Sequence, residues 1–416
     1  MVKKIQSIRG MVDLFHQEMR DHLWVIQQAR TIAKLYGFDE VSTPILEKTE
    51  VFSRPLGQTS DVVSKETYTF NDRGDDSLTL RPEGTAGIMR SVISNGKFNE
   101  LPLKLFYSGP MFRYERPQKG RLRQFNQIGI ELIGISEPFS DAEVIMCGVN
   151  YLKSLNVLDK CLLNINTLGD KESRDKYRSS LIEYFTINNS KLSNISQERL
   201  KINPLRILDS KEAQDQEIIS KAPSFSNHLN SDSKKHFDKV LNYLEVHNVK
   251  YVYNEKLVRG LDYYCHTTFE FITDQLGSQG TVLGGGRYDG LSETLNGPYL
   301  PGVGFAAGVE RLVLLSENNN KIVSSIGVIP IEEQNLNASF EIIENLRSKN
   351  ISSELFNYGN ISKQIKKSIS RNIRHIIIIG DQELKTKQVI LRDLSEGTQK
   401  LIFIENLVDE IMTLDK

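Results

Sequence analysis

The sequence predicts an α+β protein in two parts. A sheet-rich domain with flanking helices spans 1–320 and is interrupted by a helical insertion at 171–238. A small α/β domain follows at 325–416. Three observations predict this. Alternating apolar and polar runs bounded by turn residues recur in the first part, as at 125–132 and 267–272. Residues 171–238 change character, being rich in Lys, Ser, Glu and Asn with helical pieces at KYRSSLIEYF and DKVLNYLEVH. Beyond the polar linker Asn318-Asn319-Asn320-Lys321, strand and helix patterns alternate to the end, as in a small α/β domain with a mixed sheet.

Composition excludes more than it selects. The chain has 416 residues, 39% hydrophobic and 25% charged, the profile of a globular protein. The net charge of −1 does not announce a nucleic-acid binder, so any such role needs local basic patches. Cys147, Cys161 and Cys265 are far apart, match no zinc spacing and suit a reducing compartment. No apolar run approaches the roughly 18 residues of a membrane span. The N-terminus MVKKIQSIRG lacks the apolar core of a secretory signal, so the cytoplasm is the expected location.

The elements follow in order. Residues 13–35 have helical periodicity, with Leu14, Met19, Leu23, Val25, Ile26 and Ile32 as expected core positions. In FDEVSTPIL, Pro44 removes a ladder donor and predicts an edge or interface strand. Two short strands flank the turn NDRGDD, and a helix follows with Glu83 and Thr85 at its mouth. Residues 111–131 read as a long hairpin around the tip Pro117-Gln118-Lys119-Gly120. A helix over 141–155, a strand over 162–168, and strands at 251–253, 258–272 and 280–291 come next. AAGVERLVLLSE predicts a helix beginning at Ala306.

The hairpin carries Arg113, Arg116, Lys119, Arg121 and Arg123 against Glu115. It is either a solvated charged tip or a phosphate-binding hairpin, because guanidinium forks match phosphate oxygens. Two further arginines, Arg259 before Gly-Leu-Asp-Tyr-Tyr and Arg311 early in a helix, also adjoin strands. Together with Arg113 they suggest a polyphosphate site. Lys363, Lys366, Lys367, Arg371 and Arg374 cluster on or beside a C-terminal helix, with no carboxylate among them; a solvated helix face is the plain reading. Cys265 and His266 have no partner at useful spacing and read as structural.

These stretches resemble the class II aminoacyl-tRNA synthetases, specifically the histidyl-tRNA synthetase family. FDEVSTPILEKTEVF, FRYERPQKGRLRQFNQIGIE and GVGFAAGVERLVLL resemble the three general class II motifs. VRGLDYYCHTTFEF and TVLGGGRYDGL resemble two motifs peculiar to the histidyl enzymes. The resemblance covers nearly the whole chain. It implies a catalytic domain built on an antiparallel sheet flanked by helices, a C-terminal anticodon-binding domain, and a homodimer. It also implies ATP as substrate with Mg²⁺, and L-histidine and histidine tRNA as partners.

The resemblance further assigns residues. Arg113 and Arg259 would grip the α-phosphate, where charge builds during attack by the histidine carboxylate. Arg311 would hold the γ-phosphate or cover adenine, opposite Phe125, with Glu115 and Arg121 completing the ATP set. Glu83, Thr85 and Gln127 resemble the ammonium-side set. Glu131, Tyr264 and adjacent Tyr263 resemble the imidazole set. Such a site rejects analogues by leaving its own polar groups unpaired, about 10⁴-fold. Arg116, Gln118 and Lys119 would reach the tRNA acceptor end, and Lys366, Lys367 and Arg371 the anticodon arm. The insertion would clasp the acceptor arm. Leu122 and Asn126 depart from the family's bacterial pattern, which has an aromatic and a histidine there.

A second resemblance is to the non-catalytic, synthetase-like regulatory subunit of ATP phosphoribosyltransferase. That relative generally lacks the arginine of RGLDYY and the C-terminal domain, both present here as Arg259 and residues 325–416. Near-neutral charge disfavours a general nucleic-acid binder.

Overall fold

The computed structural model describes residues 4–414 apart from 57–62, 64, 209, 211, 258–262, 278–279 and 318–324. Arg259 and the linker at 318–321 therefore lie outside the described residues. The chain forms two compact units, Met1–Asn318 and Asn319–Lys416.

The strands of the first unit are β1 (Asp39–Glu40), β2 (Leu46–Lys48), β3 (Tyr68–Asn71), β4 (Ser77–Leu80), β5 (Leu103–Phe112), β6 (Gln124–Ile133), β7 (Leu162–Thr167), β8 (Val252–Tyr253), β9 (Cys265–Ile272), β10 (Thr281–Arg287) and β11 (Gly302–Gly308). The main sheet is eight-stranded, in the order β1-β5-β6-β11-β10-β9-β7-β8. Its inner pairings are antiparallel, as expected; the short edge strands β1 and β8 pair parallel, which makes the sheet mixed. β2, β4 and β3 form a small separate sheet.

Alternation along each strand sorts residues between two faces. Ile128, Ile130 and Leu132 of β6 join Val303, Phe305 and Ala307 of β11 and Phe269 and Phe271 of β9 in one apolar core. Residues of the helices His16–Leu35, Pro138–Ser154, Ser231–Val246 and Val309–Leu315 complete it. The intervening residues Gln127, Gly129 and Glu131 are left on the opposite face. Beside them lie Tyr107 of β5, the helix Thr85–Ser94, Tyr263, Tyr264 and Tyr288.

Three expectations need correction. On the first helix, Met19 and Leu23 are exposed, while His22, Val25, Ala29 and Ala33 are buried. Both stripes are apolar, and periodicity alone does not choose which one packs. Ala306 and Ala307 are strand residues, paired with Gly284 and Leu283 on one side and Gly129 and Ile128 on the other. Sheet pairing overrides alanine's helical propensity, and the helix begins at Val309. The insertion has its own core of Tyr177, Leu181, Phe185, Ile207, Ile218 and Phe225. Its expected end at 238 falls inside the helix Ser231–Val246, whose Phe237, Val240 and Leu244 pack in the main core.

In the second unit, β12 (Ile326–Pro330), β13 (Ser353–Leu355), β14 (His375–Ile379), β15 (Gln388–Asp393) and β16 (Gln399–Phe403) form a mixed sheet. Its order is β13-β12-β14-β15-β16; the first two pairings are parallel and the last two antiparallel.

Candidate active site

The polar face of β6 forms the floor of the site. Glu131 is 1% exposed, between Leu105 of β5 and Gly304 of β11 in register. The Thr85 hydroxyl donates to its Oε1 at 2.7 Å, and the Tyr288 phenol donates to its Oε2. Burial pushes the Glu131 carboxyl up to about 8; the Tyr288 and Thr85 hydrogen bonds oppose the rise and the nearby Glu83 adds to it. Gly304 is required here, because a Cβ at that position would collide with the Glu131 carboxylate and the Ile130 carbonyl.

Glu83 sits at the N-terminus of the helix Thr85–Ser94. Its carboxylate accepts from the Thr85 N–H at 2.7 Å and the Ala86 N–H at 2.9 Å, satisfying two otherwise unpaired helix donors. Burial raises its pKa, against these bonds and the Arg113 charge. Gln127 accepts from the Tyr107 phenol at 3.4 Å. Tyr263 stands 4.7 Å from Tyr264 and 5.9 Å from Tyr288, ring centre to ring centre. Burial holds the Tyr107, Tyr263 and Tyr288 phenols well above their ordinary range, so all three are protonated donors. Glu83, Thr85, Gln127, Glu131, Tyr263 and Tyr264 are thus gathered in one buried polar cluster, the candidate amino-acid chamber.

Beside the chamber the hairpin supplies cations. Arg113 donates through Nε to the Pro82 carbonyl at 2.9 Å and lies over the Phe125 ring at 5.4 Å. Glu115 is 2.6 Å from Arg121 and 3.9 Å from Arg113. Arg311, in the first turns of its helix, donates to the carbonyls of Gly120 and Thr281. Burial brings its pKa down to about 10, and repulsion from Arg121 and Arg113 adds to this while Glu115 and Glu270 oppose it. Arg113, Arg121 and Arg311 gather around Glu115, with Glu270 also near Arg311, and so many guanidinium donors in one place suit a polyanion. Arg113 faces both this cluster and Glu83.

Arg116, Gln118 and Lys119 are exposed at the hairpin tip. Asn126 donates to the Glu310 carboxylate from its backbone at 2.7 Å and its side chain at 3.3 Å, which ties β6 to the helix Val309–Leu315. On the C-terminal helix Ile361–Ser370, Lys363, Lys366 and Lys367 are exposed. The cluster that seemed free of carboxylates acquires them from the sheet: Arg371 pairs with Glu354, and Arg374 with Asp393 at 2.9 Å. Lys367 and Arg371 both lie over Phe356.

The sequence reading did not single out Tyr107, Tyr288 or Arg287. Arg287 is wholly buried and binds Asp141, Asp289 and Ser140. The signal for it lay in GGGRYDGL, where a charged residue follows three strand glycines. Tyr107 had no local signal; its ring fills the space left by Gly84 and Gly129.

Sheet, arginine cluster and separate α/β unit together define the class, and the fold is that of a class II aminoacyl-tRNA synthetase. A family model described as histidyl-tRNA synthetase matches residues 10–312, and one described as anticodon binding domain matches 325–414. The histidine–tRNA ligase of Gluconobacter oxydans is 47% identical over 403 residues, 97% of each chain. That of Rickettsia bellii is 45% identical over 410 residues, 98% of this chain and 99% of its own. A solved apo histidyl-tRNA synthetase from S. aureus matches with TM-score 0.81 at 32% identity, covering 98% of this chain and 100% of that one. The chain belongs to the histidyl-tRNA synthetase family. Membership carries the reaction class, that of an aminoacyl-tRNA ligase.

Proposed function

We propose that this chain activates L-histidine with ATP to histidyl-adenylate and transfers it to the 3′ end of histidine tRNA, releasing AMP and pyrophosphate. The observation that carries the histidine reading is Glu131, a buried carboxylate held between Thr85 and Tyr288 beside the Tyr263–Tyr264 pair. The Glu131 carboxyl facing one imidazole nitrogen and the Tyr264 phenol facing the other would select histidine. Glu83, Thr85 and Gln127 would receive the α-ammonium.

In the first step the histidine carboxylate attacks the α-phosphorus and pyrophosphate leaves. Arg113, between Glu83 and the hairpin cluster, would stabilise the charge that builds there, and Arg259 would approach the same phosphate. Arg311 and Arg121 would hold the outer phosphates, with Phe125 against adenine. Glu115 would accept from the adenine amino group while keeping its pair with Arg121. In the second step the terminal 3′-hydroxyl attacks the acyl carbon and AMP leaves. Catalysis is positioning and electrostatic stabilisation, with no covalent enzyme intermediate.

Mg²⁺ would accompany the nucleotide as its phosphate counter-ion. The exposed tip residues Arg116, Gln118 and Lys119 would meet the acceptor end. Lys366, Lys367 and Arg371 would meet the anticodon arm; the anticodon-binding family match supports this. Exposed apolar residues at the start of the first helix, Phe15 at its N-cap and Met19 and Leu23 within it, support a homodimer that covers them. Free cysteines, which suit a reducing compartment, support a cytoplasmic location. The regulatory-subunit alternative is not favoured, because near full-length relatives are histidine–tRNA ligases.

Histidine-dependent ATP–pyrophosphate exchange by the purified chain, followed by charging of histidine tRNA, tests the reading. Absence of exchange from folded protein overturns it. Arg259→Ala should bind histidine yet lose exchange, and normal exchange in that variant would remove Arg259 from the mechanism. Deleting the insertion should weaken tRNA charging more than exchange.

A further inference from the structure

The neck of the helical insertion is tied into the amino-acid chamber. The insertion leaves the sheet at Asp170 and returns at Asn230, and each residue caps its own helix. Asp170 accepts from the Ser173 N–H at 2.8 Å, and Asn230 from the Ser233 N–H at 2.9 Å. The caps also bind each other. Asn230 Nδ2 donates to Asp170 at 2.7 Å, the Asp170 N–H to the Ser233 hydroxyl at 3.1 Å, and the Asn230 N–H to the Ser173 hydroxyl at 3.1 Å.

This knot grips the segment that carries Tyr264. The Arg174 guanidinium donates through Nη1 to the Tyr264 carbonyl at 2.6 Å. The His266 N–H donates to the Gly169 carbonyl at 2.8 Å, and the Leu168 N–H to the His266 carbonyl at 2.7 Å. The Tyr264 ring lies against Gly286, where even a Cβ would come within 2.9 Å of ring Cδ1. A shift of the carbonyl therefore moves a ring with no slack on that side. The returning helix reaches the other wall. His236 stacks on His266 at 5.0 Å and stands 3.3 Å from Asp141, which binds Arg287 next to Tyr288.

We propose that Arg174 is a positioning residue for histidine. It acts through the Tyr264 carbonyl and makes the affinity of the amino-acid chamber depend on the neck of the insertion. This rests on the reading of Tyr264 as an imidazole partner. Arg174 touches no substrate itself. A charge-assisted hydrogen bond at the start of β9 fixes where the phenol stands, and the capping knot fixes Arg174.

The test uses the full chain and pyrophosphate exchange, with histidine KM, ATP KM, kcat and melting temperature measured for Arg174→Met, Arg174→Lys and Tyr264→Phe. Arg174→Met should raise histidine KM roughly tenfold, the scale of one hydrogen bond to a charged group, and leave ATP KM unchanged. Arg174→Lys should recover most of the loss, because an ammonium can reach the same carbonyl. If Arg174→Met does not fold, Arg174→Gln makes the same comparison. An unchanged histidine KM in the arginine variants beside a raised one in Tyr264→Phe overturns the positioning role alone. So does an equal rise in both KM values with a lower melting temperature, which marks a purely structural residue. An unchanged histidine KM in Tyr264→Phe overturns the pocket reading itself, and the positioning role with it.

Discussion

The Tyr288 phenol donates its hydrogen to Glu131 Oε2, a bond between residues 157 positions apart in the chain. With Thr85 on the other oxygen, it holds a buried carboxyl group in one orientation and still leaves a lone pair for an incoming N–H. Removing either end should therefore affect histidine and spare ATP. Glu131→Gln and Tyr288→Phe should each raise histidine KM in pyrophosphate exchange, by roughly tenfold for the glutamate, the scale of a buried polar group left with a mismatched partner. Equal losses for histidine and ATP would remove Glu131 from the imidazole site.

The same carboxyl predicts a pH dependence of stability. In the folded chain Glu131 keeps its proton to about 8, against an ordinary 4.5. Between those values the folded state binds more protons than the unfolded one. The group's favourable contribution is full below the lower value, declines as pH rises, and is gone above the upper one. Urea unfolding should show Glu131→Gln gaining stability relative to the parent from about pH 5 to about pH 9. A constant difference between the two proteins would mean that the carboxyl is not raised.

Burial strips water from the Arg311 guanidinium and Arg121 and Arg113 repel it, which offsets what Glu115 and Glu270 contribute, so the ligand-free fold gains little from it. Arg311→Met should melt at or above the parent temperature while ATP KM rises by roughly 10–100-fold. Calorimetry and exchange kinetics on one sample check both halves. A variant that loses stability and keeps its ATP KM would make Arg311 a structural residue.

The opposite behaviour is expected at Arg287. Burial would raise the Asp141 carboxyl, but Arg287 and His236 more than reverse this and hold it well below the usual range. Arg287→Met strands that charge inside the protein, at a cost of about 3–5 kcal/mol in unfolding free energy. Arg287→Met with Asp141→Asn should recover much of the loss, which equilibrium denaturation would show. Failure to recover would mean that the pair matters through packing instead of charge.

Gly304→Ala probes close approach. The added methyl would meet the Glu131 carboxyl group and the Ile130 carbonyl, and because the latter is backbone, β11 and β6 would have to separate to relieve the overlap. Stability should fall by roughly 1–3 kcal/mol, with histidine affinity weakened beyond what Glu131→Gln alone causes. Unaltered histidine binding in this variant would place the substrate away from that floor.

What the sequence by itself determined was whatever is written in local periodicity and turn chemistry. The β5–β6 hairpin, the strands around NDRGDD, the helical insertion and the C-terminal α/β unit were legible that way. So was the membership of Glu83, Thr85, Gln127, Glu131 and the hairpin arginines in one set of motifs. The tertiary structure alone decided what depends on pairing between distant segments. Sheet register turned Ala306 and Ala307 into strand, and packing chose the Val25–Ala29 stripe of the first helix over Met19 and Leu23. Strand β15 and its following turn supplied the carboxylates that Arg374 lacked locally. Burial raised Glu131, and distant Tyr288, Tyr107 and Arg174 came to bear on the chamber. The reason is physical. Periodicity reports which side of an element is apolar, whereas register, desolvation and long-range hydrogen bonds exist only once two elements meet.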